Sequence, residues 1–243
     1  MDFFTAYGQD IVHRGSTFSR YGGIIGIPVN FRYRSTEDVE MEKIILNNKS
    51  IDWSSPAGKR LLDSMVLSEK GRQFAIAREL FYLHTFHIYV RTALVGGSFF
   101  CAYWLGASAN AMYGLSRRLP TASRAVIYSL FAGFGATLYC FASDSYSWYR
   151  DRKVDREAAA LGLEYAEGGF EFYSKLLQRN IALRALMGSE GGKRYTAYGN
   201  DIHFWRSPTV PLTSRRDAMQ EFVKSMREAA ASKEPSDDVA EPA

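Results

Sequence analysis

Charged side chains crowd residues 32–91 and 144–243 and nearly vanish between them. From Thr92 to Leu115 there is none in 24 positions, and from Ala125 to Ser143 none in 19. A bilayer core about 30 Å thick takes about 20 helical residues at 1.5 Å each, so both runs are long enough to cross it. Arg91, Arg117, Arg118, Arg124, Asp144, Arg150 and Asp151 bracket the runs, and Tyr89, Tyr113, Tyr128, Tyr146, Trp148 and Tyr149 gather near their ends. That is the distribution of an aromatic interface belt. The pattern predicts a transmembrane helical hairpin with spans at 92–115 and 125–143. Small residues recur every four positions, as Ser98, Ala102 and Gly106 in the first run and Ala132, Ala136 and Cys140 in the second. Such stripes let helix backbones approach closely in lipid.

The polar segments read as one α+β domain interrupted by the hairpin. Residues 1–91 form its first part, 144–231 its mostly helical second part, and 232–243, rich in Pro, Ser and acids, a disordered tail. Gly22–Tyr33 is predicted as a strand. Lys43–Leu46 and Ser50–Trp53 flank Asn47-Asn48 as a β-hairpin would. Ser55-Pro56 opens a helix with Leu61, Leu62, Met65 and Val66 on one face, and Ser68 opens another, running past Phe74, Ala77, Leu80 and Phe81 toward the first span. Beyond the hairpin the pattern predicts a helix over Val154–Tyr165 broken at Gly168-Gly169, and another over Phe170–Met187 stopped by Gly188. A short strand at Lys193–Tyr198 and a last helix to Ala231, capped by Thr213 or Ser214, complete the prediction. The expected fold class is therefore an α+β membrane protein, a two-span hairpin inserted in a mostly helical domain with a small β-sheet.

Bulk composition changes little in this picture. The net charge is +4, from 30 basic and 26 acidic residues, and no basic run is long enough or aromatic enough to track nucleic acid. The two cysteines, Cys101 and Cys140, fall inside the apolar runs and read as small packing residues. The N-terminus, Met1-Asp2-Phe3-Phe4, has neither a secretory signal nor the acid-poor character of a transit peptide. Gly58-Lys59-Arg60 fails as a P-loop. His84 and His87 can share a helix face, but two histidines without a third ligand are weak grounds for a metal site. No small-molecule substrate or cofactor is expected, and no catalytic, cofactor-binding or metal-ligating residue is assigned.

One near miss bears on enzymatic function. Arg78-Glu79-Leu80-Phe81-Tyr82 has the glutamate of a zincin helix, His-Glu-x-x-His, with Arg78 and Tyr82 where the ligands should stand. Downstream, Asp155-Arg156-Glu157-Ala158-Ala159 resembles the Glu-x-x-Ala-Asp segment of HtpX-like membrane metallopeptidases, which also place two spans between the segments. Asp155 stands near their third ligand, and Ala159 replaces their aspartate. Arginine is permanently protonated and cannot bind zinc. The likeness implies a metal-free relative, a pseudo-metallopeptidase; alternatively, Glu79 pairs with Arg78, Arg72 or a neighbouring base on a solvated helix.

Longer stretches resemble the transmembrane protein 177 family: Gly26-Ile27-Pro28, Ile51–Gly58, Phe74–Glu79, Gly168–Tyr173 with Lys175–Leu177, then Asn180, Ala182–Arg184, Tyr195, Gly199-Asn200 and Arg215–Asp217. They run in order from about Gly23 to Lys224 with the hairpin between them. Members of that family begin with a further, partly apolar segment, which places a targeting signal upstream or inside the chain. The resemblance implies a noncatalytic, multi-pass protein of the mitochondrial inner membrane. It implies a role in biogenesis of cytochrome c oxidase, with subunit 2 and that subunit's small membrane chaperone as partners. The alternative reading is a membrane metallopeptidase-like protein with residual or unrecognised protease activity. For the assembly role, the Ala102/Gly106 face is the expected docking surface for client spans, and the strand Ile24–Arg32 the expected edge for a client peptide.

Overall fold

The structure, a computed structural model, describes residues 2–8, 10–46 and 49–232. Three short strands open it: β1 (Asp2–Ala6), β2 (Val12–Gly15) and β3 (Gly23–Pro28). β3 lies in the middle, parallel to β1 with Phe3 opposite Ile25, and antiparallel to β2 with His13 opposite the same Ile25. Ile25 is fully buried there. β1 and β2 were not expected, and the predicted strand to Tyr33 ends early. Pro28 has no N–H to continue a ladder, and a 3-10 turn takes over at Val29–Arg32. Since β3 is paired on both sides, the segment Ile24–Arg32 has no free edge for a peptide, which corrects that expectation.

The short β-hairpin is present as β4 (Ile45–Leu46) and β5 (Lys49–Ser50), with the Asn47-Asn48 turn outside the described residues. Two serine caps then start helices as read. The Ser55 hydroxyl accepts from Gly58 N (3.0 Å) to open α1 (Pro56–Met65), and Ser68 does the same with Gly71 N (3.2 Å) to open α2 (Glu69–Leu83). Leu61 and Met65 of α1 are buried as expected, in a cluster with Val39, Ile51 and Ala182.

The hairpin consists of α3 (His87–Tyr113), a one-turn helix α4 (Leu115–Arg118) and α5 (Thr121–Ala159). Both long helices have the length and hydropathy to cross a membrane, and only 6% of each apolar stretch is covered by the rest of the chain. A core helix of a water-soluble protein would be covered. Here Phe99, Phe100, Tyr103, Trp104, Leu130 and Phe141 point outward. Between the helices the fit is close: a Cβ on Gly135 would lie 2.8 Å from the Ala102 methyl and 3.0 Å from the Ser98 carbonyl oxygen.

α5 runs unbroken for 39 residues, so no new helix begins at Val154. The charges after Ser143 end the apolar run, but they are good helix formers and do not end the helix. The break falls at Ala160–Gly162, after which α6 runs Leu163–Met187 straight through Gly168-Gly169. Those glycines are packing sites. A Cβ on Gly168 would overlap the Lys70 carbonyl oxygen and lie 2.5 Å from its carbon, and one on Gly169 would lie 2.8 Å from the Phe74 ring. α6 stops at Gly188 (φ +59°), as predicted. The strand expected at Lys193–Tyr198 is instead the end of α7 (Ser189–Arg194) followed by a single bridge between Tyr195 and Asp201. α8 (Leu212–Ala231) starts after Pro211, ahead of the expected Thr213 or Ser214 cap; the free Thr213 N–H is taken by Asn200 Oδ1 at 3.0 Å.

The result is a mostly helical domain with a small mixed sheet. α6 is sandwiched by α1 and α2 from before the hairpin and α8 from after it. Phe74, Ala75, Ala158, Ala166, Phe172, Tyr173 and Met219 form its main core.

Candidate functional site

Two features stand out as candidate sites: a buried charge cluster where the hairpin enters the domain, and an apolar groove along the hairpin itself.

α2 and α5 cross so that Arg78 and Asp155 meet inside the domain. Arg78 Nε donates to Asp155 Oδ1 at 3.0 Å, and the Arg78 guanidinium also contacts Glu79. From α8, Arg215 Nε donates to Asp155 Oδ2 at 2.7 Å and its Nη2 to Oδ1 at 2.5 Å; from α6, the Tyr173 hydroxyl donates to Oδ1 at 2.6 Å. Glu79 Oε2 lies 2.5 Å from His13 Nδ1 of β2. One turn away, Arg150 pairs with Asp151 at 3.0 Å and lies 4.3 Å over the Tyr82 ring. Glu79, Arg150, Asp151, Asp155 and Arg215 are each at most 8% exposed. Three arginines thus face three carboxylates in a largely buried cluster, and such pairing is the condition under which buried charge is tolerated.

Burial pushes the Asp155 carboxyl up, but the Arg215 and Arg78 guanidiniums outweigh it and hold the group below its ordinary 3.8. Glu79 behaves alike: burial raises it, and Arg78 with His13 brings it below 4.5. Burial also raises the Tyr173 phenol, so it stays a proton donor. Both carboxylates are depressed in the fold. Their contribution to stability is therefore complete above about pH 4.5, and is lost as pH falls through the folded values. A melting series in detergent should show a plateau at neutral pH and a steep fall below about pH 4; a midpoint unchanged down to about pH 3 would contradict the cluster.

Arg78 and Asp155 were legible as near-misses of a zinc site, and they do come together. What lies between them is an ion pair. The guanidinium takes up carboxylate lone pairs that a zinc ion would need, and Tyr82, at the second histidine position, faces Arg150 and lies against the His13 ring, centroids 3.8 Å apart and planes tilted by 41°. The donor set present does not fit zinc. The alternative holds in part: Glu79 does pair with Arg78, but it is 2% exposed and not on a solvated helix face, and Arg72 instead meets Glu69 and the Phe31 carbonyl. His84 and His87 do not converge on a common ligand: their Nδ1 atoms meet Thr17 Oγ1 (3.0 Å) and Thr85 Oγ1 (3.1 Å).

The groove follows the contact line of α3 and α5. Its two stretches, about 400 and 360 Å³, share Phe99, Ala102 and Ala132; Tyr103 and Tyr128 wall one end, Val95 and Tyr139 the other. The small residues of the sequence are divided by it. Ser98 and Gly106 are buried against α5, so the Ala102/Gly106 stripe mainly holds the hairpin together. Ala132 and Ala136 remain open and form the floor.

The residues of both features fall within the part of the chain, 5–234, that matches the sequence family described as transmembrane protein 177. The chain belongs to the transmembrane protein 177 family. Transmembrane protein 177 of Mus musculus is 35% identical over 226 residues, 90% of this chain and 70% of that protein. The Homo sapiens protein is 34% identical over 225 residues, covering 92% and 72%, and the Danio rerio protein 35% over 231, covering 91% and 73%. No solved structure matches the chain. Family membership and two bilayer-length helices make this a membrane protein of the transmembrane protein 177 type.

Sequence reasoning missed Arg215, Tyr173 and His13 as partners of the cluster. One signal pointed there: Asp155 stands beside Val154 and Ala158-Ala159 and one turn after Asp151, two carboxylates on a helix face that is otherwise apolar in that turn.

Proposed function

We propose that this protein is a noncatalytic assembly factor of the mitochondrial inner membrane. It holds the newly inserted second subunit of cytochrome c oxidase, together with that subunit's small membrane chaperone. Family membership supports the partner assignment, through the role the resemblance implies. The observation that carries the noncatalytic half is the Arg78–Asp155 ion pair, a fixed cation where a peptidase of this layout would need an exchangeable metal. The groove floored by Ala102, Ala132 and Ala136 is the docking surface: a small-residue channel in which a client helix packs by close contact, with Phe99 and Tyr103 as walls.

Mild-detergent affinity purification with identification of the bound proteins tests this reading. Subunit 2 and the chaperone should be recovered with the wild type, and Ala132→Phe, which fills the groove, should cut their recovery about tenfold, the equivalent of about 1.4 kcal/mol. Leu130→Phe, on an exposed position outside the groove, should leave it unchanged. Equal recovery with both variants removes the groove from the mechanism.

The second reading, a metallopeptidase-like protein with residual or unrecognised protease activity, is favoured by the convergence of Glu79 and Asp155 from two sides of the hairpin. Metal analysis of the purified protein discriminates: one zinc per chain overturns the noncatalytic proposal.

A further inference from the structure

Two loops, remote in sequence, are fastened to the hairpin at one level. The turn 16–22 between β2 and β3 is held at the junction of α2 and α3: buried Ser16 Oγ shares its proton between the Leu83 and Thr85 carbonyls (3.0 and 2.9 Å), and the Tyr89 hydroxyl in the first turn of α3 donates to the Phe18 carbonyl (3.0 Å). Phe18 stacks on Phe86 with centroids 3.9 Å apart. The loop 202–207 is held at the end of the second span. Arg206 Nη2 donates to Asp144 Oδ1 at 2.9 Å, and Trp148 Nε1 to the Ser207 carbonyl at 2.8 Å. From the contact of Gly135 with Ser98, Tyr89 is nine residues back along α3 and Asp144 nine residues on along α5. At 1.5 Å per residue both lie about 14 Å from that contact, one half-thickness of a bilayer core.

At that level both loops expose aromatic rings. Tyr21 is 92% exposed, Phe204 101% and Trp205 69%, and Phe86 and Tyr89 stand open beside them. Arg20, in the first loop, and Arg91, two residues beyond Tyr89, are exposed as well. Rings in water are costly, whereas Trp, Tyr and Phe among arginines suit the headgroup–acyl boundary, where the ring enters the chains and the cation meets phosphate.

We infer that the turn 16–22 and the loop 202–207 are seated in the interface of the bilayer that the hairpin crosses, with glycerophospholipid as their partner. The occupant follows from continuity: of the anchoring residues, Tyr89 lies three positions before the first charge-free span and Asp144 directly after the second. The domain then rests on the membrane at these two loops as well as at the two spans. This inference depends on the two-span reading.

The test uses the full chain with Cys101 and Cys140 replaced by serine, labelled with an environment-sensitive fluorophore at single introduced cysteines, in vesicles of phosphatidylcholine and phosphatidylglycerol. Labels at Tyr21→Cys and Phe204→Cys should be shielded from iodide severalfold relative to one at Glu69→Cys, at the far end of α2, and be quenched by lipid carrying a nitroxide near the headgroup. A label at Phe134→Cys, mid-span, should respond to a nitroxide at the chain end. If Tyr21 and Phe204 labels behave like the Glu69 label while Phe134 remains lipid-quenched, the loops face water or another protein and the inference is overturned with the spans intact. If the Phe134 label is also open to iodide, the spans and the inference fall together. The labelled positions are exposed, so their cysteines leave no cavity, and an unchanged melting temperature verifies the fold.

Discussion

Asp155→Ala is expected to lower the melting midpoint of the detergent-solubilised protein by on the order of 10 °C, the largest single-site effect outside the membrane. The substitution leaves Arg215 without its carboxylate partner and Arg78 with Glu79 alone, in a cluster where Arg215 is 8% exposed. Breaking a buried pair in this way costs about 3–5 kcal/mol, and about 2–4 °C accompanies each kcal/mol in a protein of this size. The double variant Asp155→Leu with Arg215→Met removes opposite charges together and should melt above Asp155→Ala, because an apolar replacement of a whole pair leaves one fewer uncompensated ion. A single variant within about 2 °C of wild type would mean that the cluster is hydrated and contributes little.

Gly168→Ala should come next. Its methyl group would overlap the Lys70 carbonyl, which is backbone and cannot rotate away, so α2 and α6 must separate across the main core. Overpacking of this kind costs about 1–3 kcal/mol and more where backbone must shift, against a helix-propensity gain of about 1 kcal/mol from replacing glycine. Gly192→Ala is the matching control: among the described residues nothing lies within 4 Å of the added atom, so the variant should be neutral or slightly more stable. Differential scanning fluorimetry of both variants reads the contrast. Equal midpoints would show that the helices adjust without cost.

The Gly168 result also marks where sequence reasoning stops. A glycine pair inside a helical pattern carries the same local signal whether it breaks the helix or admits a neighbour, and the neighbour here is Lys70, far upstream. The spans were readable because bilayer thickness acts on contiguous residues, and the caps at Ser55 and Ser68 because each satisfies a donor three residues on. β1 was not readable: its partner, β3, lies beyond β2 and its pairing is parallel, so no turn chemistry announces it. Of the charge cluster, Arg78 and Asp155 could be set side by side through a resemblance, whereas His13, Tyr173 and Arg215 are joined to them only by the packing of β2, α6 and α8. The groove was half readable. Small-residue spacing identified both stripes, but which one faces inward depends on the rotation of each helix, which the spacing leaves open.

The interleaving of the domain with the hairpin sets an order of events during synthesis. Phe74, Glu79 and the Gly71 face of α2 emerge before the spans, yet the surface that covers them, α6, follows both. The domain therefore cannot close until the second span has passed into the bilayer and the chain has returned to its starting side. Until then α2 presents an unfilled apolar face, with Arg78 paired only to Glu79 of the same helix, and exposed apolar surface of this kind is prone to aggregation. The Arg78–Asp155–Arg215 cluster can form only after the hairpin is complete, because it draws on α2, α5 and α8, made before, within and after it.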